Sequence, residues 1–155
     1  MLIRLMGARR YYLGHLLWIL LGLFCFRVGA QLLQLLYSVS FLPAFEHWQG
    51  GNLPYGWLLF SQVAIIYICT RTTLGIQRGT TTVKPALGKT LHVLGMVYFS
   101  IMALRLILGL SLLSDIHWFN STIPAFFHLV LAGFMIATSQ YHLQATPKPE
   151  HDQNR

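Results

Sequence analysis

The stretch YLGHLLWILLGLFCFRVGAQLLQLLY, residues 12–37, decides the fold, because it is strongly apolar and carries a single charged residue, Arg27. At 1.5 Å per residue, a helix of this length crosses the roughly 30 Å hydrocarbon core of a bilayer even when it is tilted. Lipid offers no partner for backbone N–H and C=O groups, so a single apolar run of this length is predicted to be a transmembrane helix.

Three further apolar runs follow, and the four predicted spans cover residues 12–37, 55–71, 90–113 and 124–142. Of the 155 residues, 55% are hydrophobic and only 10% are charged, with a mean hydropathy of +0.56. Soluble domains carry about a quarter charged residues. The sequence therefore predicts an all-α integral membrane protein with a four-helix transmembrane domain at 1–144. The polar segment 145–155 is predicted to be a disordered tail.

The lysine and arginine residues outside the apolar cores predict the orientation. They flank the first span on its N-terminal side, occupy the connection between the second and third spans, or follow the fourth span: Arg4, Arg9, Arg10, Arg71, Arg78, Lys84, Lys89, Lys148 and Arg155. The segments 38–54 and 114–123 contain neither lysine nor arginine. The positive-inside rule then predicts that both termini are cytoplasmic, in the inner (cytoplasmic) membrane. This distribution also explains the net charge of +7 without a nucleic-acid partner.

A short pattern occurs twice and indicates an internal repeat. His47-Trp48 precedes Pro54, and His117-Trp118 precedes Pro124, at a constant offset of 70 residues. Arg27 in the first span corresponds to Arg105 in the third. The sequence therefore predicts two helical hairpins in the same orientation, an arrangement known from membrane proteins with parallel repeats.

Five polar residues inside the apolar runs form the main candidate site. Arg27 lies 17 residues after Arg10, and Arg105 lies 16 residues after Lys89, which places both guanidinium groups about 24–26 Å from the cytoplasmic boundary. Polar side chains from all four spans are predicted to share this level near the outer face: Arg27, Gln31, Gln62, Arg105 and His128. An intramembrane arginine marks a functional position by default.

Two interpretations of this level remain open. The arginines could form structural ion pairs, Arg27 with Glu46 and Arg105 with Asp115, because one acid accompanies each outer loop. Alternatively, the arginines, the glutamines and the histidine could bind a lipid phosphate, a carboxylate or a quinone. Arginine suits such oxygen acceptors because its planar guanidinium presents several N–H donors.

The remaining histidines suggest two metal hypotheses. His15 and His92 lie at similar depth near the cytoplasmic face, and two histidines facing each other across a helical bundle could hold a b-type haem. In the outer loops, His47 and His117 could form a metal site together with Glu46 and Asp115, although their spacing lacks a zinc-site pattern.

The expected function follows from these features and from the absence of nucleotide-binding and hydrolase motifs. With hardly any soluble mass, the chain is expected to be non-catalytic: a protein that binds a lipid or quinone, or a subunit of a larger membrane complex. The alternative is a haem-containing membrane protein that transfers electrons to or from quinone. The expected partners are the bilayer, a quinone or anionic lipid, and other membrane subunits.

Overall fold

A computed structural model describes residues 2–37, 39–40, 42, 54–111 and 122–144, with the side chains of the first helix described from Arg10 onward. These residues form four α-helices and no strand: α1 (Leu2–Tyr37), α2 (Tyr55–Arg78), α3 (Pro85–Ser111) and α4 (Thr122–Gln144). Each helix is long and apolar enough to cross a membrane. The prediction of an all-helical protein with four candidate spans is confirmed.

All four helices extend beyond the predicted spans, and α4 (Thr122–Gln144) does so by two residues at each end. Helix α1 begins at Leu2 rather than at residue 12, α2 continues to Arg78, and α3 begins at Pro85 rather than at residue 90. The span prediction followed hydropathy, which falls where polar residues begin, whereas a helix continues until a residue interrupts its backbone hydrogen bonding. The tail 145–155 lies outside the described residues, so its predicted disorder stays a prediction.

Gly79 ends α2. Its φ of 71° lies in the left-handed region, which glycine adopts without the steric cost of a Cβ atom. In this conformation the N–H of Gly79 donates to the carbonyl of Ile76 at 3.2 Å, and the N–H of Thr80 donates to the carbonyl of Gly75 at 3.0 Å. These bonds satisfy carbonyl groups at the end of the helix. Pro85 then opens α3, at a position where its missing N–H has little effect.

Two hydrogen bonds hold the α2–α3 turn, residues 79–84, against α4. The hydroxyl of Tyr141 donates to the carbonyl of Thr81 at 3.0 Å. The backbone N–H of Lys84 donates to Nδ1 of His142 at 3.2 Å. The turn is therefore fixed on the C-terminal end of α4, and we use "turn end" for this end of the bundle.

Helix α4 is central to the packing. It packs extensively against α3 and also against α1, and α1 packs in turn against α2. The largest buried apolar cluster lies where α1, α2 and α4 meet: Leu17, Leu21, Cys69, Ile76, Phe134, Ala137 and Tyr141. Although the short turn joins them, α2 and α3 are not a closely packed pair, so they flank a cleft in front of α4.

Helix α3 approaches α4 through glycines rather than large apolar side chains. A Cβ atom on Gly95 would lie 2.9 Å from Cγ1 of Ile136, and one on Gly88 would lie 2.8 Å from Cβ of His142. Small residues let transmembrane helices approach closely. The leucines, valines and isoleucines of α3 largely face outward, as suits a helix surrounded by lipid.

Candidate functional site

A hydrogen bond between two buried amides joins α1 to α2. Nε2 of Gln62 donates to Oε1 of Gln31 at 3.2 Å, and the two side chains are 3% and 0% exposed. Nε2 of Gln31 and Oε1 of Gln62 are buried and have no hydrogen-bond partner among the described residues. A buried polar group left unsatisfied costs roughly 1–3 kcal/mol. The pair therefore keeps one donor group and one acceptor available to a further molecule.

Arg27 lies one helical turn before Gln31 on α1 and is 6% exposed. Its guanidinium carbon lies 5.8 Å from the centre of the Phe127 ring on α4, within the range of a cation–π interaction. Its charge also acts on the side chain of Tyr55, the first residue of α2. Arg27 thus connects α1 to both of the helices that pack against it.

The remaining members of the site come from α3 and α4. The hydroxyl of Tyr98 on α3 and Nδ1 of His128 on α4 share a hydrogen bond of 2.6 Å. Arg105 on α3 is 6% exposed. His128 lies within electrostatic range of both Arg27 and Arg105.

We call Arg27, Gln31, Gln62, Arg105 and His128 the polar layer. They come from all four helices and lie toward the end of the bundle opposite the turn end. Their side chains are two guanidinium groups, two amides and an imidazole within an otherwise apolar bundle.

Sequence reasoning missed Tyr98 as a member of this site. The available signal was its spacing, because Tyr98 precedes Arg105 by seven residues, two helical turns, and so lies on the same face of α3.

The predicted ion-pair partners and outer metal ligands lie outside the described residues. This applies to Glu46, Asp115, His47 and His117, so the two ion pairs and the outer metal site stay predictions. The described residues hold no group of three or more histidine, cysteine, aspartate or glutamate side chains that could bind a metal ion.

The haem hypothesis for His15 and His92 stays a prediction, because no described contact tests it. His15 is exposed, and its Nδ1 bonds the carbonyl of Tyr11 in its own helix at 2.8 Å. Nδ1 of His92 lies 3.3 Å from the hydroxyl of Ser139 on α4. The helices that carry the two histidines, α1 and α3, both pack against α4 rather than closely against each other. The two rings therefore lie in different surroundings.

Comparison of the chain with protein-family models, curated proteins and solved structures finds no match. Its function must be argued from the site itself.

Proposed function

We propose that the polar layer binds the oxygen-bearing head of a hydrophobic molecule, and that the protein is a non-catalytic lipid- or quinone-binding membrane protein. The observation that carries the proposal is the Gln31–Gln62 pair, which is buried with a donor and an acceptor that no described residue satisfies. A ligand that forms hydrogen bonds with these two amide groups would remove the cost of leaving them unsatisfied.

The surrounding charges define the ligand class. Arg27 and Arg105 are buried and both act on His128, so the site favours a negative or strongly polarised oxygen. A phosphate, a carboxylate and a quinone carbonyl share this chemistry. The apolar surroundings within the membrane favour a molecule whose remaining part is hydrocarbon.

The proposal includes a topology. With both termini and the α2–α3 turn in the cytoplasm, the polar layer would lie toward the outer face of the inner membrane. Two parallel hairpins, α1–α2 and α3–α4, would each contribute one arginine to the layer. The matching positions of Arg27 and Arg105 in the sequence support this arrangement.

Mass spectrometry of lipids and quinones extracted from the purified full-length protein tests the proposal. Arg27→Gln and Arg105→Gln should each lower the retained ligand at least about tenfold, since hydrogen bonds to charged groups contribute roughly 1.5–3 kcal/mol. Adding back a phospholipid or a ubiquinone analogue separately then identifies the source of the oxygen, because only a bound ligand raises the melting temperature.

Arg10→Gln provides the matched control, because it removes the same charge from an exposed residue of α1 outside the layer. If both layer variants retain the wild-type extract and only melt earlier, the arginines are structural, and the ion pairs with Glu46 and Asp115 become the better interpretation. A preparation that holds a stoichiometric partner polypeptide and no lipid or quinone would support the complex-subunit alternative instead.

A further inference from the structure

A second site lies at the turn end of the bundle, far from the polar layer. The cleft between α2 and α3 has a volume of about 760 Å³ and is closed at the back by α4. This volume falls within the range of small-molecule sites, about 300–1,000 Å³. His128 of the polar layer and Thr138 of the cleft lie on the same helix, separated by about 15 Å along its axis.

The mouth of the cleft is basic. Arg71 and Arg78 from the last turns of α2 and Lys84 from the α2–α3 turn line it, and all three side chains are exposed. No acidic residue is among the described residues that line the cleft. Three cations of one sign around one opening create a strong attraction for an anion.

The residues that line the cleft include a threonine, Thr138, whose hydroxyl group has no hydrogen-bond partner in the part of the chain that the structure describes. Thr138 on α4 lines the cleft and is 5% exposed. Its Oγ1 is buried and has no hydrogen-bond partner among the residues that the structure describes. This hydroxyl is a second indication of a ligand, independent of the basic mouth.

The part of the cleft lining that α3 and α4 supply is a largely apolar wall. Leu87 and Leu91 from α3 and Leu131, Phe134 and Met135 from α4 form it. A free phosphate or another small hydrophilic anion would leave this wall without a partner. A molecule with both an anionic head and a hydrocarbon chain matches the two halves of the cleft.

We propose that this cleft binds an anionic phospholipid from the leaflet on the side of the turn. Arg71, Arg78 and Lys84 contact the phosphate oxygens, and the Thr138 hydroxyl donates to a phosphate or ester oxygen. The first part of an acyl chain lies along the apolar wall. Basic pockets between transmembrane helices bind lipid head groups in this way.

The α2–α3 turn has a fixed conformation that does not depend on a bound lipid. The Tyr141–Thr81 and Lys84–His142 hydrogen bonds hold it against α4. Its first residue, Gly79, adopts the left-handed conformation that ends α2. Lys84 therefore has a defined backbone position at the mouth of the cleft. Fixing the site in advance lowers the ordering cost of binding.

Lipid titration of the full-length protein in detergent tests the proposal. Palmitoyl-oleoyl phosphatidylglycerol should form adducts in native mass spectrometry and raise the melting temperature more than palmitoyl-oleoyl phosphatidylcholine, which has the same chains. Glycerol 3-phosphate, which has the anionic head and no chains, should not displace the phosphatidylglycerol. Arg71→Gln and Lys84→Gln should each weaken phosphatidylglycerol binding about fivefold, the effect of one basic residue near an anionic lipid.

Lys89→Gln is the matched control. Lys89 is an exposed residue of α3 at the same end of the bundle but does not line the cleft, so its removal should leave the affinity unchanged. Thr138→Val removes the hydroxyl while it keeps shape and charge, and it should also weaken phosphatidylglycerol binding. If a charge variant fails to fold, the Thr138→Val variant still tests the proposal.

Three results would overturn the proposal. Equal binding of the two phospholipids would show that the basic mouth does not select a charge. Equal weakening by Lys89→Gln and Arg71→Gln would indicate diffuse attraction rather than a site. Displacement by glycerol 3-phosphate would indicate a soluble anion. The part of phosphatidylglycerol binding that depends on Arg71 and Lys84 should persist in Arg27→Gln, whatever ligand the polar layer loses, so failure of the polar-layer proposal is distinguishable from failure of this one.

Discussion

At the scale of single residues, the Gln31–Gln62 hydrogen bond offers the most direct energetic test. We expect a double-mutant cycle with Gln31→Leu, Gln62→Leu and the combined variant to give a coupling energy of about 0.6 kcal/mol, and at most ~1.7, the range for interhelical hydrogen bonds in membranes. Removing one amide leaves the other buried without its partner. Each single substitution should therefore lower the free energy of unfolding by more than half of the loss measured for the combined variant. Unfolding in mixed dodecyl sulfate micelles measures the free energies.

The control cycle pairs Gln31→Leu with Gln77→Leu. Gln77 lies near the turn end, where its Oε1 accepts a hydrogen bond from Nε1 of Trp18 at 3.0 Å. Residues that share no partner and lie far apart should have additive effects. Additive effects in the Gln31–Gln62 cycle as well would contradict the hydrogen bond as a stabilising contact.

The five residues of the polar layer could be selected from the sequence because polar side chains stand out in apolar runs. Their pairing could not be predicted. Whether Gln62 meets Gln31 or Gln34 depends on how α1 and α2 are rotated about their axes, and hydropathy carries no information on rotation. Thr138 could not be selected from the sequence either, since a threonine in a transmembrane helix usually forms a hydrogen bond with its own backbone.

At the scale of helices, the close approach of α3 and α4 predicts a strong effect of a single methyl group. Gly95→Ala places a Cβ 2.9 Å from Ile136 Cγ1 and 3.3 Å from the backbone nitrogen of the same residue. Overpacking of this kind costs typically about 1–3 kcal/mol. The loss should appear as a lower free energy of unfolding.

Gly22→Ala on α1 is the matched substitution. A Cβ at Gly22 would meet nothing within 4 Å, and alanine is the better helix former, so no loss of stability is expected. Equal losses for the two variants would show that glycine matters for helix flexibility rather than for contact between α3 and α4.

The existence of the four helices could be predicted from the sequence, but the residues at which they begin and end could not. The four apolar runs identified α1 to α4 because length and hydropathy together exclude other structures in lipid. The extension of α2 to Arg78 could not be inferred from glycine positions alone, because Gly75 follows the predicted span before Gly79 does. Lys89 was assigned to a boundary because of its charge, although Pro85 was the better start signal for α3.

At the scale of the whole molecule, the positive-inside distribution predicts which side of the membrane each connection occupies. In a background with Cys25→Ser and Cys69→Ser, a cysteine introduced at Thr82, an exposed residue of the turn, should resist a membrane-impermeant maleimide in intact cells. It should react after permeabilisation. Asn52→Cys, in the segment without lysine or arginine, should react in intact cells.

The reverse labelling pattern would contradict the predicted orientation and would move the polar layer to the cytoplasmic half of the bilayer. Labelling of both cysteines in intact cells would contradict the single membrane span, α2, that separates the two positions. The order of helix packing, in contrast, had no counterpart in the sequence. A duplicated hairpin predicts equivalent contacts for α1–α4 and α2–α3, yet α4 packs against α1 while α2 and α3 flank a cleft.

The central position of α4 has a consequence for biosynthesis. Helix α4 follows the other three in the sequence, yet both α1 and α3 pack against it. A nascent chain that has inserted only three helices lacks this packing surface, so Arg27 and Arg105 must reside in lipid or in the translocon until α4 emerges. On insertion scales an arginine at a helix centre costs about 2.5–3.5 kcal/mol. This is an upper bound for two arginines near the predicted outer face, and the apolar residues of α1 and α3 must offset the cost helix by helix. Bundle closure is therefore a late step, completed only after translation of α4.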